Sequence, residues 1–334
     1  MTKPLYTTIT YLILILLTSV GVSMATPVTY YMKFKANQMG CYLYINDVYI
    51  YHTEGIPRLI SFGHGVTEYL QQGKNIVTLF VDNGAEYIPA SEIDNGYCEV
   101  EVIALVANKA GDVESKVVSH MRHTYIPKPE DSESIFPYHL STAESNLKLD
   151  SMIAPNYIQV TELQYKYDAD DEPVQWIQSE RELIVHHSHP MSWADRSTPF
   201  ENTEANKRKL WEKYQEIKRA INRKDKRAIR TLAEPGVSDM ARIFGKSAED
   251  YFETAFNDTL QNYFDLDPNY YQATNNPYED YELEIYAEGK LFRLNLKGYL
   301  LASPLEWYNH FNQKYRIYNP LFTYINGKIV MAKF

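Results

Sequence analysis

Cys41-Tyr42-Leu43-Tyr44-Ile45-Asn46-Asp47-Val48-Tyr49-Ile50-Tyr51 reads as two short strands around a two-residue turn. Apolar and aromatic residues alternate on both sides. Asn-Asp between such runs supplies the left-handed conformations that a tight hairpin turn demands. The pattern continues outward from this hairpin. Upstream, Met32 and Phe34 alternate with Tyr31, Lys33 and Lys35. Downstream, Val66-Thr-Glu-Tyr-Leu70 is read as a strand running into the turn Gly73-Lys74-Asn75. The strands Ile76–Val81 and Cys98–Val106 follow. Period-2 hydrophobicity at this density predicts an antiparallel sheet with one face in a core.

The order Leu-Tyr-Ile-Asn-Asp, then Val-Thr-Glu-Tyr-Leu-Gln-Gln-Gly-Lys-Asn-Ile-Val-Thr-Leu, resembles the galactose-binding-like jelly rolls, β-sandwiches attached to many extracytoplasmic enzymes. In these a Leu-x-x-Gly-x-Asn turn precedes a long core strand, and Leu70, Gly73 and Asn75 match it. The resemblance covers residues 28–125. It implies a fold and leaves the ligand open, because sandwiches of this kind host unrelated functions.

Residues 126–155 carry Pro127, Pro129, Pro137 and Pro155 among acids and serines, the composition of a long crossover loop. Strand patterns resume at Ile158–Val160, Leu163–Tyr165, Val174–Ile177 and Leu183–His186. They complete a β-sandwich domain over residues 26–195, with Pro190–Glu204 as the linker. The period then changes. Leu210, Tyr214, Ile217 and Ile221 mark one helical face behind a start near Thr203. Ala228, Ile229 and Leu232 suit a short helix that stops before Pro235-Gly236. Ser247-Ala-Glu-Asp250 is a capping-box start ahead of Phe252, Ala255, Phe256, Leu260 and Tyr263. Strands return at Leu283–Ile285, Phe292–Leu296 and Trp307. The chain closes on a hairpin whose turn is Asn326-Gly327, with Phe322, Tyr324, Ile329 and Met331 on one face. Residues 203–334 thus form an α+β domain, helices followed by a curved antiparallel sheet. Its element order resembles the nuclear-transport-factor-two-like and cystatin-like folds. The expected fold class is mainly β plus α+β.

Residues 1–25 read as a signal peptide. Lys3 precedes the apolar run Tyr11–Leu17, and Ser23-Met24-Ala25 has the small-x-small form of a cleavage site. The alternative is an uncut anchor, but the run is shorter than the ~20 residues a spanning helix needs. The expected location is therefore periplasmic or secreted, with no integral membrane segment after cleavage. The chain has 334 residues and a formal net charge of −10, which speaks against nucleic acid and leaves a basic protein as partner. Its two cysteines, Cys41 and Cys98, are either a disulfide, the simpler reading in an oxidising compartment, or two buried thiols.

His187 and His189 share a strand face, with His186 beside them, but no further ligands can be placed, so no metal is expected. Asp265-Leu-Asp267-Pro-Asn269 begins like a calcium loop. Tyr270 stands where that loop needs Gly, and Asn276 where it needs Glu. Asp168–Glu172 reads as a solvated turn. Nucleophile-elbow, zinc-protease and phosphate-loop motifs are absent, and no cofactor is expected. The basic stretch Lys207–Arg230 suits the solvated face of a core-packed helix.

The remaining candidate is the segment Asp265–Tyr281. It interleaves Tyr270, Tyr271, Tyr278 and Tyr281 with Asp265, Asp267, Glu279 and Asp280, in a chain with 29 Tyr against 13 Phe and 4 Trp. Tyrosine with acid suits a basic protein partner. The alternative is tyrosines packing back onto the sheet. These features predict an exported, non-enzymatic binding protein that neutralises another protein. In type it resembles bacterial periplasmic immunity proteins, which block delivered toxins. The alternative, carried by the sandwich, is an extracytoplasmic carbohydrate-binding or carbohydrate-hydrolysing protein.

Overall fold

The computed structural model describes residues 28–54, 59–82, 96–107, 113–127, 138–142, 158–166, 173–185, 188–299 and 301–333. The N-terminal half contains ten strands: β1 Thr29–Asn37, β2 Gly40–Ile45, β3 Val48–Glu54, β4 Leu59–Gly65, β5 Gly73–Asp82, β6 Tyr97–Ala107, β7 Val113–Pro127, β8 Tyr138–Thr142, β9 Ile158–Lys166 and β10 Pro173–Val185. They form two antiparallel five-stranded sheets, ordered β4-β1-β6-β7-β8 and β3-β2-β5-β10-β9. Alternate residues turn inward. Met32, Phe34, Cys41, Leu43, Ile45, Val77, Leu79, Val81, Val100, Val102 and Leu183 are all buried, as period-2 patterning requires. Cys41 and Cys98 form a disulfide from β2 to β6, with Cα atoms 6.1 Å apart, so the bond ties the two sheets together.

The hairpin that anchors the sequence reading forms as expected. Asn46 (φ 51°) and Asp47 (φ 66°) both take the left-handed region. Asn46 also leaves the hairpin. Its Nδ2 donates to the Tyr69 carbonyl at 2.8 Å and to Asn75 Oδ1 at 2.9 Å, while its Oδ1 accepts from Ile76 N. Asn75 in turn accepts from Gln71 N and donates to the Gln71 and Gly73 carbonyls. The Gly-x-Asn pattern is therefore a self-locked turn, and Gly73 (φ 93°) is the position where a side chain would strain it.

The sandwich differs from expectation in three places. Val66–Leu70 is no strand: Thr67–Tyr69 is a single 3-10 turn. Val66, Thr67, Tyr69 and Leu70 are all buried. That repeat of three fits a tight turn, and Thr67 Oγ1 accepts from Tyr30 N at 2.8 Å. The four late strand fragments are two long strands, β9 and β10. Within the expected loop, β8 pairs with the end of β7.

In the C-terminal half the helix Glu204–Asn222 starts at the N-cap Thr203 and buries Leu210, Tyr214, Ile217 and Ile221. Lys226–Leu232 follows, capped by Asp225. Pro235 does not stop the chain. It sits in the first turn of a further helix, Glu234–Ile243, where a missing N–H costs nothing. Gly236 lets this helix lie on the last strand, since a Cβ there would fall 2.5 Å from the Ala332 carbonyl oxygen. Helix Ala248–Ala255, capped by Ser247, runs through a π-turn at Phe256–Leu260 into Gln261–Phe264. Four strands, β12 Tyr281–Tyr286, β13 Leu291–Leu296, β16 Leu321–Ile325 and β17 Lys328–Lys333, form the sheet β12-β13-β16-β17. Phe292, Leu294, Phe322, Ile329 and Met331 join the helical apolar faces in one cluster. A second small sheet, β11-β14-β15, contains β11 Tyr271–Ala273, β14 Glu306–Asn309 and β15 Lys314–Ile317.

Residues 190–204 are not a free tether. Met191, Trp193 and Phe200 are buried, and Trp193 Nε1 donates to the Glu68 carbonyl at 3.0 Å. The sandwich core continues into Met240, Tyr286, Leu291, Leu321 and Ala332. The two halves therefore share apolar surface.

Candidate functional site

The segment Asp265–Tyr281 divides into two parts. In the first, Asp265 accepts from Gln261 Nε2, and Asp267 Oδ1 accepts from both the backbone and the side chain of Asn269. The Asp267 carbonyl accepts from Tyr270 N and Tyr271 N. These bonds fix a compact turn that leaves Asp265, Asp267 and Tyr270 exposed. Tyr271 enters β11 opposite Asn309. Hydrogen bonds from Asn309 and Arg316 hold its phenol below the ordinary tyrosine range. Lys218, on the long helix, then pins the chain by donating to the Thr274 carbonyl at 2.7 Å and to Asn275 Oδ1 at 3.3 Å.

The second part folds back. Tyr278 lies against the long helix, its hydroxyl on Glu204 Oε1, its ring 5.7 Å from Trp211 and 4.2 Å from Lys207 Nζ. Burial and the Glu204 carboxylate push its phenol up to about 12. Tyr281 is only 1% exposed and packs on Trp211. Glu279 and Asp280 are exposed, with their carbonyls held by Lys297. Of the four expected tyrosines, Tyr270 is presented outward, Tyr271 is half-buried, Tyr278 lies on the helix and Tyr281 is core.

Tyr270 meets a second hairpin. Strands β14 and β15 form a hairpin whose turn, His310–Gln313, is clamped by Asn309. The Asn309 Oδ1 accepts from Phe311 N at 2.8 Å and Asn312 N at 3.1 Å, and its carbonyl accepts from Gln313 N. Phe311 projects from this turn 85% exposed, edge-on to Tyr270 at 6.3 Å. His310 N donates to the Tyr270 carbonyl, and His310 Nε2 lies 2.9 Å from Gln272 Oε1. On the neighbouring face Tyr308 packs on Tyr315 at 4.9 Å and on His310 at 5.2 Å. Among the described residues, Tyr270, Phe311, Tyr315 and Ile317 are half of the large apolar side chains left exposed; Leu59, Val113, Phe244 and Tyr299 lie on other elements. The turn and its flanking strands thus carry a patch of exposed apolar side chains on a hydrogen-bonded backbone. The sequence signal was Asn309 two residues before Phe311, a side chain placed to cap its own turn.

Below this surface Glu306 is buried, which pushes its carboxyl up, while Thr274 Oγ1 donates to it at 3.2 Å. The pair secures β11 to β14. Of the histidines, His186 and His187 lie outside the described residues, as does Asp168–Glu172. His189 is partly buried, and desolvation together with Arg242 lowers its imidazole. Among the described residues, the acids and histidines close enough to share an ion are Glu99, Glu101 and His120, on the sandwich. No helix in the described residues is long and apolar enough to cross a membrane. Compared with known proteins, the chain matches no family model, no curated protein and no solved structure.

Proposed function

We propose that this is an exported binding protein that occludes another protein, through the surface built from Tyr270, Phe311 and Tyr315 with Asp265 and Asp267 at its margin. The observation that carries this reading is Phe311, 85% exposed on a turn that Asn309 holds by two hydrogen bonds. An aromatic ring kept in water by a rigid backbone loses little freedom when a partner covers it. The adjacent carboxylates, in a chain of net charge −10, steer a basic partner toward it. The disulfide fits an oxidising compartment, and a periplasmic immunity protein against a delivered toxin is the form this reading takes.

The test is affinity capture from the native envelope, identification of the captured protein, and titration of that purified protein against wild type and Phe311→Ala. Direct, saturable binding that Phe311→Ala weakens by about tenfold or more supports the proposal. A chain that binds glycans and no protein instead belongs to the carbohydrate-binding class.

A further inference from the structure

We propose that the outer face of the first sheet carries a binding site for a divalent transition-metal ion, ligated by Glu99, Glu101 and His120. Val100 and Val102 point into the sandwich, so Glu99 and Glu101 point out on the same side of β6. His120 stands directly opposite Glu101 on β7. One ligand atom from each of the three lies within 4.8 Å of the others, and His120 Nε2 is 2.8 Å from Glu99 Oε1. Ligands at about 2.1 Å from a shared ion sit roughly 3 Å apart when adjacent, a spacing that the Glu99–His120 pair already meets and toward which Glu101 has to close.

The surroundings are those of a ligand set. The two oxygens of Glu99 face different neighbours. Its Oε2 faces Lys35 at 3.7 Å and Arg122 at 3.5 Å, which leaves Oε1 turned toward His120. Arg122 is itself held, over the Tyr97 ring at 4.2 Å and by Thr124 Oγ1. A carboxylate fixed through one oxygen while the other ligates is the usual outer-sphere arrangement of a metal site. Glu101 lies beside the Glu99 carboxylate, with His120 opposite it on β7 and Lys33 opposite it on β1. A dication bridges the two carboxylates without displacing Lys35 and Arg122 from Glu99 Oε2.

The backbone is also fixed. A bulge in β7 at Val117–Ser119 adjoins His120, and Arg181 reaches across from β10 to donate to the His120 carbonyl. One imidazole with two carboxylates suits Zn²⁺ or Mn²⁺ better than Ca²⁺, which takes six or more oxygens. Three protein ligands on a half-buried face leave a coordination position open to solvent.

The probe is ZnCl₂, titrated calorimetrically into the intact, untagged chain after chelator treatment. The expected result is about one equivalent bound at micromolar affinity. His120→Ala and Glu101→Gln should each weaken it by about tenfold or more, and His189→Ala should leave it unchanged. Melting curves of each variant establish that the sandwich is still folded. A wild-type chain that binds no Zn²⁺ above background overturns the proposal, as does binding that neither substitution at the site weakens.

Discussion

Lys333 Nζ, on the last strand, lies 3.1 Å from Glu68 Oε1, on the 3-10 turn of the sandwich. This ion pair joins positions 265 residues apart, and the Tyr69 hydroxyl closes on the same ammonium. Burial lowers the Lys333 ammonium from its ordinary range and Glu68 offsets that shift. Lys333 keeps 28% of its side chain exposed, so the penalty for breaking the pair is discounted from the fully buried case. Lys333→Met or Glu68→Gln should each cost about 1–3 kcal/mol in urea unfolding. The double substitution should cost less than the two singles together. Additive costs would mean the two groups do not interact.

The disulfide predicts its own test. Closing a loop of 57 residues restricts the unfolded chain by about 4 kcal/mol in the chain-entropy account. Thiol labelling of denatured, unreduced protein should detect no free Cys. Replacing both cysteines with Ala should lower unfolding stability by about that amount. A double variant as stable as wild type would show the bond to be incidental.

His123 should make the sandwich acid-sensitive. It stands opposite Cys98 and is 1% exposed, with neither ring nitrogen hydrogen-bonded among the described residues. Desolvation pushes its imidazole from 6.5 down to about 4. Between those values the unfolded chain takes up a proton that the folded chain refuses. The stability contributed by neutral burial is therefore complete above pH 6.5 and is lost as pH falls toward 4. At pH 5 the loss should be about 2 kcal/mol relative to pH 7.5. Urea midpoints of wild type and His123→Leu across this range should separate the effect from the carboxylates. Identical slopes would remove His123 as its source.

Local chemistry makes some elements legible in the sequence, while tertiary contact decides others. Asn46-Asp47, Thr203, Ser247 and Asn326-Gly327 satisfy or shape their own backbone, so their turns and caps are legible in isolation. Pro235 is ambiguous because it suits a helix start as well as a stop, and only the approach of Gly236 to Ala332 selects the start. Tyr270 and Tyr281 have equivalent surroundings in sequence. They differ because Tyr281 opens β12 opposite Leu296 above Trp211, while Tyr270 ends a solvent-side turn. The exposure of Phe311 is hard to read from the sequence, because the four-residue turn that presents it carries no Gly and Asn309 alone marks the reversal.

The contrast between Tyr270 and Tyr281 supports a prediction that separates binding from folding. Phe311→Ala and Tyr270→Ala remove exposed rings, 85% and 51% accessible, and leave the backbone bonds of Asn309 and Asp267 intact. Each should cost roughly 1–3 kcal/mol of affinity for the captured partner, with the melting temperature almost unmoved. Tyr281→Ala should do the reverse. It opens a cavity against Trp211 and should cost about 3 kcal/mol of stability, losing affinity only as far as the fold loosens. Tyr278→Ala should be mild on both counts, because its ring rests on the helix surface at Lys207 and Trp211. Asp265→Lys should mainly slow association and flatten its salt dependence, since this exposed carboxylate at the margin holds no backbone group and acts through long-range attraction. Stopped-flow association and differential scanning calorimetry on the same five variants read the two quantities independently. If Phe311→Ala and Tyr270→Ala bind as wild type does, the exposed aromatic hairpin is not the contact surface, whatever the partner proves to be.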